Sequence, residues 1–290
     1  MSDPAPQPEW FTKALARKAR EASTEVDGAR IVYRVWGDDN LTDSDSVILI
    51  HGGAAHSRWW DHIAPLLATG RHVIAFDLSG HGDSGARDSY NLETWAAEAL
   101  AVARLSPASK PIIVGHSLGG VVALTAAMAA GTELGGIIIV DSPLVNFTPE
   151  EDAAADRMAF GPHRTYPTRE AVIARFRPIP DQPTLDYVRD YVAGVSVREA
   201  TGGWAWKFDS AIFNHAPQLA ALAPLDCRSA FFRGETGMVS PKMADAIVTG
   251  LGGVTPMIEI PAAGHAIMLD QPLALVTGLR SILAMWNLDE

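Results

Sequence analysis

Short apolar segments alternate with helical patterns through the first half of this chain, and this alternation constrains its fold more than any other feature. The segments are nearly continuous in apolar residues, as is typical of strands buried on both faces of a sheet. The apolar segments cover 47–50, 72–76, 111–114 and 137–140, and the helical patterns cover 59–67, 92–105 and 118–130. This order predicts an α/β fold with a mostly parallel, doubly wound sheet of about eight strands.

The alternation stops near residue 143 and resumes near residue 216. Between these points the chain is richer in Arg, Asp, Pro and aromatic residues, with helical spacing but no convincing buried strand. A stretch of about 70 residues is too long for a plain connection. We therefore expect one α/β core made of residues 25–142 and 216–290, with a helical cap insertion at 143–215. The amphipathic pattern at 9–21 predicts that the N-terminal extension, residues 1–24, is helical.

Charge and composition exclude several classes of protein. Lys and Arg total 23 against 34 Asp and Glu, a net charge of −11, so we expect no nucleic-acid partner. The one cysteine, Cys227, excludes an internal disulfide and multi-cysteine metal sites. The N-terminus lacks a basic head followed by an apolar stretch, and no apolar run is long enough for stable membrane insertion. We therefore expect a cytoplasmic protein, for which monomer and homodimer both stay open.

A serine lies in a glycine-rich turn between a predicted strand and a predicted helix. Gly115-His-Ser117-Leu-Gly119 matches the pattern G-x-S-x-G, which puts a serine hydroxyl on a sharp turn at the edge of a sheet. A serine hydroxyl needs a base to take its proton, and histidine has a suitable pKa. His265 follows the last predicted strand, so we expect Ser117 to be the nucleophile and His265 its base.

These motifs resemble those of the α/β-hydrolase superfamily, in its serine-nucleophile form with a helical cap. They follow the family's order and cover nearly the whole chain outside the insertion. The matching motifs are His51-Gly52-Gly53, the loop from Asp77 to Ser84, GHSLGG around Ser117 and AAGH ending at His265. The resemblance implies an oxyanion hole made of the backbone N–H groups of Gly53 and Leu118, with Ala54 open as a replacement for Gly53. It also implies catalysis without a metal or an organic cofactor.

The carboxylate that would orient the histidine is where this chain departs from the family. The family usually carries its acid after the seventh strand in a G-x-x-D loop, and here that loop is Gly234-Glu-Thr-Gly237, with glycine at the acid position. Asp141 ends the predicted strand 137–140 and keeps the order Ser, Asp, His, so it is the first candidate. Glu235 lies in the usual loop but two residues early. A dyad of serine and histidine without either carboxylate also stays open.

The expected activity is hydrolysis of an ester, thioester or lactone of a small, fairly apolar molecule through an acyl-enzyme intermediate. The turn that contains Gly52-Gly53 and Ala54 is here called the oxyanion turn. Residues in or near this turn, or in the aromatic part of the insertion, are expected to line the substrate pocket. These pocket residues are Ala54, Trp59, Trp204 and Trp206. A carbon–carbon bond hydrolase of ring-fission diketones uses the same machinery and is the alternative reaction. A non-catalytic ligand-binding protein on a hydrolase scaffold is the alternative of another class.

Overall fold

The computed structural model describes residues 7–37, 46–144, 164–213 and 219–287, and its central feature is an eight-stranded sheet. The strands of this sheet are β1 (Arg20–Val26), β2 (Ala29–Trp36), β3 (Ser46–Ile50), β4 (His72–Phe76), β5 (Ile112–His116), β6 (Gly136–Val140), β9 (Arg228–Gly234) and β10 (Met257–Ile260). They lie in the order β1-β2-β4-β3-β5-β6-β9-β10. Strand β2 is antiparallel to both of its neighbours, and the other pairings of this sheet are parallel. The predicted α/β fold class is therefore confirmed.

Helices cover both faces of the sheet, and each buried strand sends alternate side chains to the two sides. The helices are α1 (Glu9–Ala16), α2 (Ala64–Leu67), α3 (Leu92–Ala103), α4 (Leu118–Ala130), α5 (Arg169–Ile173), α6 (Asp186–Val195), α7 (Pro241–Gly250), α8 (Ile267–Asp270) and α9 (Pro272–Asn287). In β3, Ile48 and Ile50 pack on the side of α3, α4 and α7, whereas Val47 and Leu49 pack on the side of α1, α2, α8 and α9. Within the described ranges, no helix has both the length and the apolar character that crossing a bilayer requires.

The N-terminal segment corrects our expectation of an entirely helical extension. The helix ends at Ala16, and Arg20–Val26 form an edge strand that pairs with β2. The two residues between the strands, Asp27 and Gly28, have φ values of 46° and 77°, the geometry of tight hairpin turns. The strand was missed because its side chains are mostly polar and Val26 alone is buried. The sheet therefore begins within the segment that we expected to be helical.

The insertion between β6 and β9 is only partly helical, which corrects a second expectation. Besides α5 and α6 it contains a two-stranded antiparallel sheet of β7 (Val197–Ala200) and β8 (Gly203–Trp206). Thr201 and Gly202 form the turn of this hairpin, in which Gly202 has a φ of 86°, and Gly203 begins β8 with a φ of 145°. Four-residue strands with few buried side chains show too little alternation to be seen in sequence. Residues 145–163 and 214–218 of the predicted cap lie outside the described residues.

Helix α4 approaches the sheet so closely that side chains are excluded from the contact. A Cβ added at Gly119 would lie 2.6 Å from the carbonyl oxygens of both Ile50 and His51. One added at Gly115 would overlap the backbone of Gly119. The glycines of the G-x-S-x-G turn are thus required by the short distance between α4 and the strands β3 and β5.

This packing predicts that Gly119→Ala destabilises the protein. Because the new methyl group would collide with two backbone carbonyls, either α4 or β3 must move, at a cost of about 1 to 3 kcal/mol. Gly53→Ala is the matched control, since its methyl group would lie 3.7 Å from Phe213 and 3.9 Å from Leu118, in ordinary contact. Urea unfolding of both variants measures the difference. Equal stability of the two variants would contradict the packing argument.

Candidate active site

Ser117 lies between β5 and α4 in a strained backbone conformation. Its φ of 52° and ψ of −120° fall outside the strand and helix regions. The Ser117 N–H donates to the Val140 carbonyl at 3.0 Å, and the Ser117 carbonyl accepts the Gly120 N–H at 2.9 Å. Strain of this kind persists where the surrounding fold enforces it, and it is common at functional sites. The turn leaves the serine half-buried at the carboxyl edge of the parallel strands.

The structure brings Ser117, His265 and Asp141 together. The Ser117 Oγ lies 3.0 Å from His265 Nε2, and His265 Nδ1 lies 2.7 Å from Asp141 Oδ2. Asp141 is 0% exposed and His265 is 4% exposed, so water does not compete for this bond. When Nδ1–H donates to the carboxylate, Nε2 presents its lone pair to the serine hydroxyl. The arrangement can take a proton from the hydroxyl and stabilise the imidazolium that results.

The Asp141 carboxylate occupies the space that a side chain at position 237 would fill. It accepts the Gly234 N–H at the end of β9 at 3.0 Å and the Met238 N–H in the loop after β9 at 2.8 Å. A Cβ added at Gly237 would overlap both carboxylate oxygens. Asp141 thus reaches from the end of β6 into the loop that usually carries the acid in the family. The Asp141 carboxylate can extend this far because glycine at position 237 has no side chain in its way.

Glu235, the alternative carboxylate, points to a different partner. Its side chain is exposed, and its Oε2 accepts the Ala262 N–H at 2.7 Å. Ala262 has a φ of 57°, which is unfavourable for a residue with a Cβ. Glu235 therefore supports a strained turn that precedes the histidine, and it does not contact the His265 ring.

Backbone N–H groups that could bind an oxyanion surround Ser117. Those of Gly53, Ala54 and Leu118 have no acceptor within the described part of the chain. The Leu118 N–H belongs to the first residue of α4, where the helix dipole adds partial positive charge. A Leu118 side-chain carbon lies 3.9 Å from the position that a Cβ on Gly53 would take, so the two segments are adjacent. Ala54 has a φ of 58° in the same turn.

Two buried histidines hold the loops around the site. His51 Nδ1–H donates to the Gly52 carbonyl at 2.7 Å, and its Nε2 accepts the Leu78 N–H at 3.1 Å. Burial lowers the pKa of His51 to about 4, so its ring is neutral at pH 7 and can both donate and accept. His116 Nε2–H donates to the His265 carbonyl at 2.9 Å, and burial, with His265 close by, holds the pKa of His116 well below its usual range. The neutral ring of His51 therefore connects the turn at Gly52 to Leu78 in the loop after β4. The ring of His116, at the end of β5, connects that strand to the loop of residues 261–266, here called the histidine loop.

The residues expected at the substrate pocket take different positions. Ala54 is half-buried in the oxyanion turn. Trp59 and Trp206 both contact Phe176 of the insertion, with ring centroids 5.7 and 6.1 Å apart, and form one aromatic group between the sheet and the insertion. Trp204 is half-buried on β8. A pocket role for these four residues stays a prediction.

Phe213 of the insertion borders the oxyanion turn, and sequence reasoning missed it. Its ring lies 3.7 Å from the Cβ position of Gly53 and packs edge-on against Phe208, with centroids 5.9 Å apart. No signal distinguishes this phenylalanine from other apolar residues of the insertion. Backbone hydrogen bonds of Lys207 with Gly82 and of Asp209 with Gly80 hold this part of the insertion on the loop after β4.

Asp270 and Gln182 are polar residues beside the histidine loop that sequence reasoning also missed. Asp270 Oδ2 accepts the Gly264 N–H at 2.6 Å and the Gln182 Nε2–H at 2.8 Å. Burial raises the pKa of Asp270 to about 6, and its Oδ1 has no partner among the residues that are described. The available signal was a carboxylate in the segment that follows His265. Nothing in the sequence around Gln182 indicated this contact.

Other reactive groups of the described ranges form no second site. No group of three or more His, Cys, Asp or Glu side chains there could hold a metal ion. Burial raises the pKa of the Cys227 thiol to about 11, so it stays protonated near pH 7. Ser117 Oγ lies beside a histidine that is itself bonded to a buried carboxylate.

Comparisons with known proteins agree with the fold. An esterase of Mycobacterium tuberculosis is 25% identical over 259 residues, which cover 86% of this chain and 84% of the relative. The structure of a thioesterase domain from the curacin biosynthetic pathway has a TM-score of 0.73 at 23% identity, covering 89% of this chain and 98% of that domain. That of E-2-(acetamidomethylene)succinate hydrolase has a TM-score of 0.75 at 18% identity, covering 92% and 99%. The sequence pattern of the alpha/beta hydrolase family matches residues 47–278, and the chain belongs to that family.

Proposed function

We propose that this chain is a serine hydrolase that cleaves an ester bond in a small, fairly apolar substrate. Ser117 is the nucleophile, His265 the general base and Asp141 the orienting carboxylate. The observation that carries the proposal is the continuous path of hydrogen bonds from the Ser117 hydroxyl through His265 to Asp141. The relative from Mycobacterium tuberculosis is an esterase, which supports an ester as the substrate. Thioesters and lactones present the same carbonyl carbon and come under the same proposal.

In the first step Ser117 Oγ attacks the carbonyl carbon while His265 Nε2 takes the hydroxyl proton. The separation of 3.0 Å is within the reach that proton transfer needs. The imidazolium that forms keeps its Nδ1–H on the buried Asp141 carboxylate, which opposes its charge. The tetrahedral oxyanion is held by the N–H groups of Leu118 and Gly53, with Ala54 as the other candidate donor. Each such donor is worth about 10² to 10³ in rate.

In the second step the imidazolium gives its proton to the leaving oxygen, and the acyl group stays on Ser117 Oγ. A water molecule then attacks the acyl carbon while His265 takes a proton from it. The acid product leaves, and the Ser117 hydroxyl is restored by the proton held on His265. No group outside the chain and water is needed to balance the reaction.

Apolar side chains around the oxyanion turn support an uncharged substrate. Leu118 and Phe213 both border Gly53, and Phe208 packs against Phe213. A carbonyl compound with a small alkyl or aryl group would bury its apolar surface there without leaving a charge unpaired.

Replacement of the serine tests the proposal directly. Ser117→Ala removes the nucleophile, so we expect labelling by a fluorophosphonate to disappear and hydrolysis of p-nitrophenyl butyrate to fall by about 10⁴-fold or more. The matched control is Ser281→Ala, an exposed serine on α9, which should behave as the wild type. Turnover that survives Ser117→Ala would contradict the proposal. A wild type that takes no label would favour a ligand-binding protein.

The two candidate carboxylates predict different rankings of kcat. Asp141→Asn loses the charge that opposes the imidazolium and should lower kcat by about 10³- to 10⁴-fold. Glu235→Gln changes a group bonded to Ala262 and should change kcat by less than about tenfold. Circular dichroism checks that both variants fold. The reverse ranking would assign the acid to Glu235, and small effects from both would indicate a dyad.

The overlap between Asp141 and position 237 predicts that the acid can be moved. Gly237→Asp alone should be destabilising, because two carboxylates would share one space. Combined with Asp141→Gly, it should raise kcat at least about tenfold above Asp141→Gly alone, since it returns a carboxylate to His265. Asp141→Gly with Thr236→Asp is the matched control, with the carboxylate one residue away. Equal kcat for the two double variants would show that position 237 does not face the histidine.

A further inference from the structure

Polar side chains that the proposed mechanism does not use hold the loop that carries His265. Asp270 Oδ2 accepts the Gly264 N–H at 2.6 Å, and His116 Nε2–H donates to the His265 carbonyl at 2.9 Å. His116 belongs to β5 of the sheet, and Asp270 belongs to α8, which follows the histidine. They fix the backbone before the histidine and at the histidine itself.

Gln182 of the insertion holds the backbone after the histidine and joins it to Asp270. Its Oε1 accepts the Ala266 N–H at 2.7 Å, and its Nε2–H donates to Asp270 Oδ2 at 2.8 Å. A Cβ added at Gly264 would lie 2.7 Å from the Gln182 amide carbon, so the amide rests directly on this glycine. One side chain of the insertion therefore contacts the loop on both sides of His265.

The chemistry of these contacts requires an amide at position 182. The side chain must accept from a backbone N–H and donate to a carboxylate at the same time. A carboxylate there would accept from Ala266 but would repel Asp270. An apolar side chain would leave the Ala266 N–H and a carboxylate oxygen without this partner, in a region where unpaired polar groups are costly.

The Leu185 N–H of the insertion donates to the Leu269 carbonyl of α8 at 2.9 Å, whereas other side-chain hydrogen bonds between the insertion and the core lie away from the histidine loop. Tyr191 O–H donates to Asp61 Oδ2 at 2.5 Å, and His56 Nε2–H donates to Ser196 Oγ at 2.9 Å. Neither pair includes a residue of the histidine loop. These contacts hold the insertion on the sheet, and Gln182 connects its position to His265.

We propose that Gln182 and Asp270 are positioning residues. Through these two side chains, the insertion packed on the sheet keeps His265 aligned with Ser117. The inference rests on the proposed function, because that function gives His265 its role as base. Rates depend steeply on such alignment, since a displacement of about 1 Å can cost about 10²-fold. A shift of the insertion moves Gln182, and Gln182 carries the Ala266 backbone and the adjacent histidine with it.

The first test compares Gln182→Leu with Tyr191→Phe, which removes an insertion contact that does not involve the histidine loop. Steady-state kinetics with p-nitrophenyl butyrate give kcat and KM, and thermal unfolding reports the fold. We expect Gln182→Leu to lower kcat by about 10- to 100-fold and to change KM by less than about threefold. Tyr191→Phe should keep kcat within about threefold of the wild type. Equal kcat values for the two variants would overturn the proposal.

Asp270 gives a second test that stands even where Gln182→Leu fails to fold. Asp270→Asn keeps an oxygen that can accept from Gly264 and Gln182, so kcat should stay within about threefold of the wild type. Asp270→Leu removes that acceptor and should lower kcat by about 10- to 100-fold. Adding Gln182→Leu to Asp270→Leu should cost little more, because both act through one contact. A loss in Asp270→Asn as large as in Asp270→Leu would overturn the proposal.

Failure of the proposed function gives a different result from failure of this inference. A wild type that hydrolyses no ester and takes no fluorophosphonate label would overturn both. An active, labelled wild type whose kcat survives Gln182→Leu would overturn the positioning role alone. The Ser117→Ala variant sets the background rate for every comparison.

Discussion

The close approach of α4 to β3 and β5 is the constraint on which the candidate site depends. It leaves no room for side chains at Gly115 and Gly119, and it forces Ser117 into a turn with a φ of 52°. The same approach places Leu118, the first residue of α4, next to the turn at Gly53. A nucleophile and two candidate oxyanion donors are thus placed by one backbone contact, before any side chain of the site is considered.

Burial with satisfied partners then makes this arrangement rigid. Asp141 is completely buried, yet it accepts two backbone N–H groups in addition to its bond with His265. The ring of His51 is kept neutral by burial, which lets it donate at one nitrogen and accept at the other. Buried polar networks of this kind hold one geometry because each lost bond would leave an unpaired group. The loops around the serine are therefore held by hydrogen bonds between buried groups.

The insertion contributes to the site as well as covering part of the sheet. Phe213 borders the oxyanion turn, and Gln182 contacts the residues on both sides of His265. These contacts come from two separate parts of the insertion, one at Gln182 and one at Phe213. Under the proposed function, the insertion influences both which acyl group fits and how the base is held.

The sequence by itself determined the elements and the chemistry that depend on local pattern. Continuous apolar strands, the glycine spacing around Ser117 and the loop before His265 are short-range signals, because strand burial and turn geometry act within a few residues. Strand β1 was not predicted because its mostly polar residues lack that pattern. Only the tertiary structure decided which carboxylate faces the histidine. Asp141 and His265 are 124 residues apart, and Gln182 is 84 residues from Ala266. Contacts over such separations depend on strand order and on the space left by Gly237 and Gly264, which a local pattern does not encode.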